Sequence, residues 1–345
     1  MNVDDMLRSL LFRRFRMGRL QFDFLEALLA VCITGTAYLI RTPFEYGPPH
    51  WAYLIAEWYL ALAAAVLVFR YTAGRKRALL TYAVLLILPT GVAEGTILRG
   101  NACVGALLFI CALLFLEDGR RWLFTLAAAV LLLWSVRYAG LLAACAVLWQ
   151  KEELKTEQFL CLLTAGGARI AAAYRAYLQA GYTLTTFHWP NIYEIVGRES
   201  IQGQLIDPIA LVGLFLTAGL LVLALWLFRM GTMRRERAFL IRLFLFFGLT
   251  AAYFLPYMDQ SCGYLFCVLA VVYFMLEPKE FPVPMLLQIV AYAGYQECFN
   301  GESMMPMALF AAIQFLVMAY LGVRLLQEMG VIRLWKEKSL STWTD

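Results

Sequence analysis

The sequence has few charged residues and almost no histidine. Asp, Glu, Lys and Arg make up 15% of the 345 residues, and His50 and His188 are the two histidines. A water-soluble domain of this length needs far more polar residues to cover its surface. Two isolated histidines also make a poor ligand set for zinc. The composition therefore excludes a soluble globular domain and gives no indication of a zinc enzyme.

The short motifs of several enzyme classes are also missing. The chain contains no Walker-type G-x-x-x-x-G-K loop, no G-x-S-x-G elbow, no H-E-x-x-H pair and no dinucleotide-binding fingerprint. Most of the eight cysteines lie inside apolar runs without metal-type spacing, which is typical of buried small hydrophobic residues. These absences disfavour ATP-driven transport and zinc proteolysis.

The sequence is rich in long apolar runs, and 62% of its residues are hydrophobic. The runs reach about 18 to 25 residues, the length that crosses a hydrocarbon core of about 30 Å. They lack the alternation of a membrane β-barrel, so the predicted fold class is all-α: a polytopic integral membrane protein with about 10–12 transmembrane helices. The clearest spans are predicted at 23–40, 51–70, 78–98, 102–117, 206–228, 239–256, 262–277, 283–298 and 306–327.

Basic clusters predict which loops face the cytoplasm. Arginines and lysines are concentrated at 70–77, 120–121 and 229–237 and in the C-terminal tail, and such residues favour the cytoplasmic side of a membrane. The sequence accordingly predicts a basic cytoplasmic arm over 1–22, a transmembrane domain over 23–327 and a cytoplasmic tail over 328–345. The predicted location is the cell membrane, as part of the cell envelope, with both termini inside.

The number of spans depends on the region between Arg121 and Arg229, which must contain an even number of crossings to keep both residues inside. In a twelve-pass arrangement, 122–149 is a pair of short helices that turn near Arg137, and 157–178 crosses. In a ten-pass arrangement, 122–149 crosses once and 157–178 lies on the outer surface. We favour twelve passes.

Ionisable residues inside or beside spans are costly and are therefore candidates for function. Glu57 lies mid-way along the second span, where it is either protonated or paired within the bundle. Glu94 lies near the outer end of the third span and is followed by Arg99 and Asn101; an interfacial pair between Glu94 and Arg99 is the structural alternative.

Three further candidates lie on the predicted outer face. Glu45, in the first outer loop, is a carboxylate that could act as general base for an acceptor hydroxyl, or a solvated loop acid. Arg137 could hold a phosphate bidentately, or extend to a lipid headgroup. The aromatic-rich stretch 183–197, which contains Asn191, is expected to line a cavity or to anchor the chain at the interface.

Three stretches, taken in chain order, resemble the GT-C glycosyltransferases, in particular bacterial relatives of the GPI mannosyltransferases. ILPTGVAEGTILRGNACVGALLFICALLFLEDGRRW (87–122) is similar to a proline-containing helix that ends in a polar turn. LTTFHWPNIYEIVG (184–197) resembles an apolar-Pro-Asn-Ile-Tyr element in a long outer loop. YFLPYMDQSCGYLF (253–266) looks like a turn between late spans in which Leu255, Pro256 and Met258 match, whereas Asp259 and the next three residues replace His, Glu, Arg and Tyr.

The resemblance implies a mannosyltransferase-like enzyme that transfers a sugar from a polyprenyl-phosphate donor to an acceptor at the outer face. In that reading Glu45 is the catalytic base, and the sequence leaves a divalent cation and the oligomeric state open. A catalytically inactive relative, a transporter or flippase for lipid-linked or small polar substrates, and an accessory membrane subunit are the alternatives. The residues expected to bind substrates are Glu94, Arg99, Asn101, Arg137, Asn191, Tyr193 and Asp259.

Overall fold

The computed structural model describes residues 13–17, 20–44, 51–180, 182, 184–197, 208–232 and 238–332. This part of the chain is helical except for a hairpin of two four-residue strands, β1 (Arg14–Met17) and β2 (Leu20–Asp23), which pair antiparallel. The hairpin lies in the arm predicted over 1–22 except for Asp23, its last residue, after which the first helix begins.

Long apolar helices account for most of the described chain, and short 3₁₀ turns join some of them. The helices are α1 (Phe24–Arg41), α2 (Trp51–Thr72), α3 (Arg75–Ile87), α4 (Ala102–Glu117), α5 (Arg121–Trp134), α6 (Ala139–Gln150), α7 (Thr156–Gln179), α8 (Pro208–Met230), α9 (Phe239–Phe254), α10 (Cys262–Leu276), α11 (Pro282–Asn300) and α12 (Met307–Glu328).

Four of these helices, α1, α2, α8 and α12, are long and apolar enough to cross a membrane. The count rises to five if α3 and the bent segment that follows it form one span. Other apolar helices are shorter, namely α4, α5, α6, α9 and α10. Of these, α5 and α6, which correspond to the predicted pair of short helices, have 14 and 12 residues. At 1.5 Å per residue they are about 18–21 Å long, less than the thickness of a hydrocarbon core. The chain is thus a membrane protein, and a count of ten or twelve crossings stays a prediction.

Ion pairs identify one end of the helix bundle, which we call the basic end. The ends of α2, α4 and α6 and the starts of α3, α5 and α7 meet there, and the Lys151 amine also contacts the carbonyl oxygens of Arg229 and Gly231. The ion pairs at this end join Asp23 with Arg75, Arg70 with Asp118, Arg121 with Glu153, Arg242 with Glu277 and Glu328, and Arg324 with Glu280.

The region that left the topology open forms a helical hairpin. α5 ends at Trp134, a 3₁₀ turn covers Val136–Tyr138, and α6 leads back. Arg121, which begins α5, lies 3.4 Å from the carboxylate of Glu153 beyond the end of α6, so both helices return to the basic end. This is the short pair, turning near Arg137, that belongs to the twelve-pass arrangement. α7 packs along both helices of the hairpin.

A bend separates α3 from the segment Pro89–Ile97, which we call the bent segment. Pro89 lacks the backbone N–H needed to continue α3, and the helix axis turns by 44° at this point. The bent segment then continues as a π-helix over Val92–Ile97, a rare geometry that often occurs at functional sites. The bend and the π-helix together place Glu94 inside the bundle, where it is buried.

Candidate functional site

The two stretches 185–192 and 253–259 run side by side at the end of the bundle opposite the basic end, which we call the site end. The backbone N–H of Phe187 donates to the carbonyl of Met258 at 2.9 Å, and that of Tyr257 donates to Thr185 at 2.8 Å. Phe187 and His188 both form bridge contacts with Asp259. These contacts hold the turn between α9 and α10 against the aromatic-rich stretch.

The carboxylate of Glu94 joins the bent segment to this turn. Its Oε2 accepts hydrogen bonds from the hydroxyl of Ser261 at 3.0 Å and from the hydroxyl of Tyr295 at 2.9 Å. Glu94 is 1% exposed, and its Oε1 has no hydrogen-bond partner among the described residues. That oxygen lies against Gly100, where a Cβ atom would collide with it. Three segments that are remote in sequence therefore converge on one buried carboxylate.

Arg137 and Asp259 form an ion pair beside Glu94. Arg137 lies in the turn of the α5–α6 hairpin, and Asp259 lies in the turn between α9 and α10. Both side chains are partly accessible, at 26% and 29%, in contrast to Glu94. Both are also within electrostatic range of the Glu94 carboxylate. The site end thus offers one accessible cation and one accessible carboxylate above a buried carboxylate.

A histidine and a second buried acid lie next to this pair. The Nδ1 atom of His188 is 3.7 Å from Oε2 of Glu297, a contact that becomes an ion pair when the histidine is protonated. His188 also has a φ of 61°, and Arg99 and Tyr257 at the same end have φ values of 54° and 63°. Residues other than Gly rarely adopt this left-handed backbone conformation, and backbone strain of this kind is concentrated at functional sites.

A buried ion pair between Arg41 and Glu57 lies behind the bent segment. Arg41 also donates from Nη2 to the carbonyl of Leu86 at 3.0 Å, so it joins α1 to the end of α3. A Cβ atom on Gly95 would collide with Oε1 of Glu57. Glu57 is therefore paired within the bundle, one of the two arrangements expected from the sequence, and it contacts the residue next to Glu94.

The other residues predicted for the site have varied environments. Asn191 and Tyr193 are buried: Oδ1 of Asn191 accepts from the backbone N–H of Tyr193 at 3.1 Å, and the Tyr193 hydroxyl donates to the carbonyl of Phe254 at 2.9 Å. Asn101 is exposed at the start of α4. Arg99 follows the π-helix and is half-buried. Glu45, the predicted base, lies outside the described residues.

In place of Arg99, the structural alternative given above, the partners of Glu94 are two hydroxyl donors that were not predicted, Ser261 and Tyr295. Glu297 was missed as well. The stretch YQECFN at 295–300 does carry a signal, because it places a glutamate near the end of an apolar run, as in the case of Glu57. Applied evenly, the rule that intramembrane acids are functional candidates would have found Glu297.

The site end combines groups that suit transfer chemistry on an anionic substrate. A guanidinium can hold a phosphate through paired hydrogen bonds, and an accessible carboxylate can remove a proton from a hydroxyl.

Among the described residues, no three His, Cys, Asp or Glu side chains are grouped as metal ligands. The eight cysteines are free.

No known family model, curated protein or solved structure matches the chain. The site is therefore interpreted from its own residues, together with the apolar helices that place the chain in a membrane.

Proposed function

We propose that the chain is a membrane glycosyltransferase that moves a sugar from a polyprenyl-phosphate donor to an acceptor hydroxyl at the outer face. The observation that carries the proposal is the partly accessible pair of Arg137 and Asp259 at the site end. A lipid-linked donor stays in the leaflet, so its phosphate needs a cation at the edge of a membrane bundle. We place the site end at the outer face because the basic end is the one expected inside.

The distribution of polar residues favours a site at one end over a path through the bundle. Arg41, Glu57, Glu94, Asp259 and Tyr295 all gather around the bent segment and the neighbouring turns. The basic end has its own group of ion pairs, around the buried Arg242. A path for a polar solute would instead need polar groups through the whole depth of the membrane.

The proposed chemistry follows from how Arg137 is held. In the structure, the guanidinium of Arg137 donates a hydrogen bond to the carboxylate of Asp259, and a donor phosphate would compete with this carboxylate for the guanidinium. Displaced by the phosphate, Asp259 becomes available to take the proton of the acceptor hydroxyl. The acceptor oxygen then forms a bond to the anomeric carbon as the bond from that carbon to the phosphate oxygen breaks. Arg137 stabilises the negative charge on the leaving polyprenyl phosphate.

A transfer assay in membranes tests this assignment, with radiolabelled polyprenyl-phosphate sugars as donors. We expect Arg137→Ala and Asp259→Asn each to lower transfer by about 10²–10⁴-fold, the range for loss of a general base or of a charge-stabilising group. Glu45→Gln is compared in the same assay, because a loss confined to Glu45→Gln would assign the base to the predicted residue instead of Asp259.

The matched control is Glu153→Gln, which removes the carboxylate from the Arg121–Glu153 pair at the basic end. The transfer rate of this variant should stay within about twofold of the wild type, because Glu153 lies at the opposite end of the bundle from the proposed substrate site. Equal losses in Asp259→Asn and Glu153→Gln would point to folding and contradict the assignment. Absence of transfer by the wild-type chain with every donor and acceptor would favour an inactive relative.

One observation supports a transporter or flippase as the second candidate. The bent segment breaks an apolar helix and carries a buried glutamate, and discontinuous helices of this kind form substrate sites in secondary transporters. A flux assay in proteoliposomes distinguishes the two. Movement of a lipid-linked sugar that Glu94→Gln abolishes, in the absence of any transfer, would replace the transferase proposal.

A further inference from the structure

An apolar groove runs along α1 where this helix faces α2 and α3. Its larger part, near the site end, has a volume of about 570 Å³ and is lined by residues that include Gly35, Trp51 and Ile55. A second part of about 280 Å³ continues toward the basic end and is lined by Leu62, Phe69 and Arg75, among others. Both parts include Ala30, Trp58 and Tyr82, so the groove is continuous from one part to the other.

The groove exists because α1 packs loosely against the bundle. In the apolar stretch of α1, 11% of the residues are buried, compared with 17% in α8, 39% in α2 and 44% in α12. Polar contacts link α1 to its neighbours at intervals: Arg41 to Glu57, and Thr34 to the hydroxyl of Tyr82. The Trp58 indole N–H donates to the same hydroxyl at 2.6 Å, so the polar groups of Thr34, Trp58 and Tyr82 in the middle of the groove bond to one another. What remains for an occupant is an apolar surface.

The groove is charged at its basic end. Glu26 and Arg75 line it there, and Arg75 pairs with both Glu26 and Asp23. The excess positive charge comes from Lys76 and Arg77, which follow in the first turn of α3 and are exposed. Basic residues at a membrane surface attract anionic lipids, at about 1 kcal/mol for each Lys or Arg, or about fivefold in affinity. The basic end of the groove therefore matches the headgroup of an anionic lipid, and the apolar part toward the site end matches its acyl chain.

We propose that this groove holds one acyl chain of an anionic glycerophospholipid from the leaflet at the basic end, with the phosphate at the level of Arg75 and beside the exposed Lys76 and Arg77. Gly35 is nine residues beyond Glu26 on α1, which at 1.5 Å per residue is about 14 Å. One leaflet contributes about half of a hydrocarbon core of about 30 Å, so an acyl chain anchored at Arg75 extends to the level of Gly35. The lipid would fill the space that separates α1 from α2. The proposal depends on the membrane placement of the bundle and is independent of the proposed transferase activity.

The site is tested on the full-length protein in nanodiscs of phosphatidylcholine with a minor share of phosphatidylglycerol, followed by native mass spectrometry of retained lipids. Gly35 lines the groove and a Cβ atom there meets nothing within 4 Å, so the helix accepts a side chain at this position and Gly35→Trp is designed to fill the groove. Gly219 on α8 is equally open but is not among the groove-lining residues, and Gly219→Trp is therefore the matched control.

We expect wild type and Gly219→Trp to retain phosphatidylglycerol in preference to phosphatidylcholine, and Gly35→Trp to lose that preference. The headgroup is tested separately with the double variant Lys76→Gln/Arg77→Gln, whose substitutions lie on the surface and leave the fold intact. Its retention should fall by about fivefold for each charge removed. The control Arg120→Gln removes an exposed charge at the same end, in the loop between α4 and α5, and should retain the lipid.

A photoreactive phosphatidylglycerol, with the reactive group mid-way along one acyl chain, identifies the occupant directly. Cross-links to peptides of α1, α2 and α3 that contain Ala30, Trp58 or Tyr82 would support the proposal. Equal retention of phosphatidylglycerol by all variants would overturn it. Displacement of the probe by a polyprenyl phosphate would assign the groove to the lipid-linked substrate, and a cross-link between two copies of the chain would assign it to a dimer contact.

Discussion

Arg41 at the end of α1 and Glu57 form an ion pair in which each side chain is 3% exposed, and Glu57 lies in the second turn of α2, closer to the helix start than predicted. The pair connects the loosely packed first helix to the bundle at the level of the bent segment, because Glu57 contacts Gly95. Charges buried in this way are costly to separate, since the remaining partner keeps its desolvation penalty without compensation. This pair therefore gives the first stability prediction.

Replacing Glu57 by Gln should destabilise the protein by about 3–5 kcal/mol, the usual cost of leaving one charge of a buried pair uncompensated. The double variant Arg41→Met/Glu57→Leu should recover much of that loss, because it removes both charges. The measurement is thermal unfolding in detergent. In the control Glu153→Gln, the broken pair is partly exposed and should change stability by about 1 kcal/mol or less. Similar losses in Glu57→Gln and Glu153→Gln would contradict a buried pair.

Gly140 on α6 should not tolerate alanine. A Cβ atom there would lie 2.7 Å from the Cα atom of Gly248 on α9, and backbone atoms cannot move aside as a side chain can. Such overpacking costs about 1–3 kcal/mol. Gly167 on α7 has nothing within 4 Å of its Cβ position, so Gly167→Ala should be neutral or stabilising by about 0.5–1 kcal/mol. Equal effects in unfolding measurements would show that α6 and α9 do not approach this closely.

Removing either hydroxyl that binds Glu94 should destabilise the site end. Tyr295→Phe and Ser261→Ala each take one hydrogen bond from a buried carboxyl group, at a cost of about 1–3 kcal/mol. Because both hydroxyls bind the same oxygen, the double variant should differ from the sum of the single variants, as a double-mutant cycle measures. Tyr320→Phe is the control, since Tyr320 donates to Glu280 at the basic end and is 42% exposed. Additive losses would argue against a shared acceptor.

The twelve-pass arrangement predicts that Arg120 and Glu152 lie on the same side of the membrane and Asn101 on the other. The α5–α6 hairpin brings Arg121 and Glu153 together, whereas a single crossing by 122–149 would separate them. Cysteines introduced one at a time at 101, 120 and 152 can be labelled in intact cells with a membrane-impermeant maleimide. The native cysteines that are not fully buried, Cys32, Cys111, Cys161 and Cys298, are first replaced by alanine. We expect labelling at 101 alone. Labelling at 152 but not at 120 would support the ten-pass arrangement instead.

Much of the helical layout could be predicted from the sequence. The apolar runs predicted α2, α4, α8 and α12 to within a few residues, because a membrane helix must satisfy its backbone hydrogen bonds within its own segment. The turn near Arg137 was also predicted, from the charge that interrupts an apolar run. The strand pair at 14–23 was not, since that stretch is rich in arginine and read as a surface arm.

The candidate site was predicted in part. The rule that buried ionisable residues are costly selected Glu57 and Glu94, and both prove to be buried and hydrogen-bonded. Their partners could not be chosen in the same way. Ser261 and Tyr295 are 167 and 201 residues from Glu94, and hydroxyl side chains are common enough in apolar helices that nothing in the sequence marks these two.

The sequence by itself determined that this protein is helical and lies in a membrane, because apolar length and backbone hydrogen bonding are local properties that each segment carries alone. The tertiary structure alone decided that Arg137 meets Asp259 and that Glu94 meets two hydroxyls. Those contacts depend on which helix ends lie side by side after packing, and side chains far apart in the chain become neighbours only when the bundle closes around them.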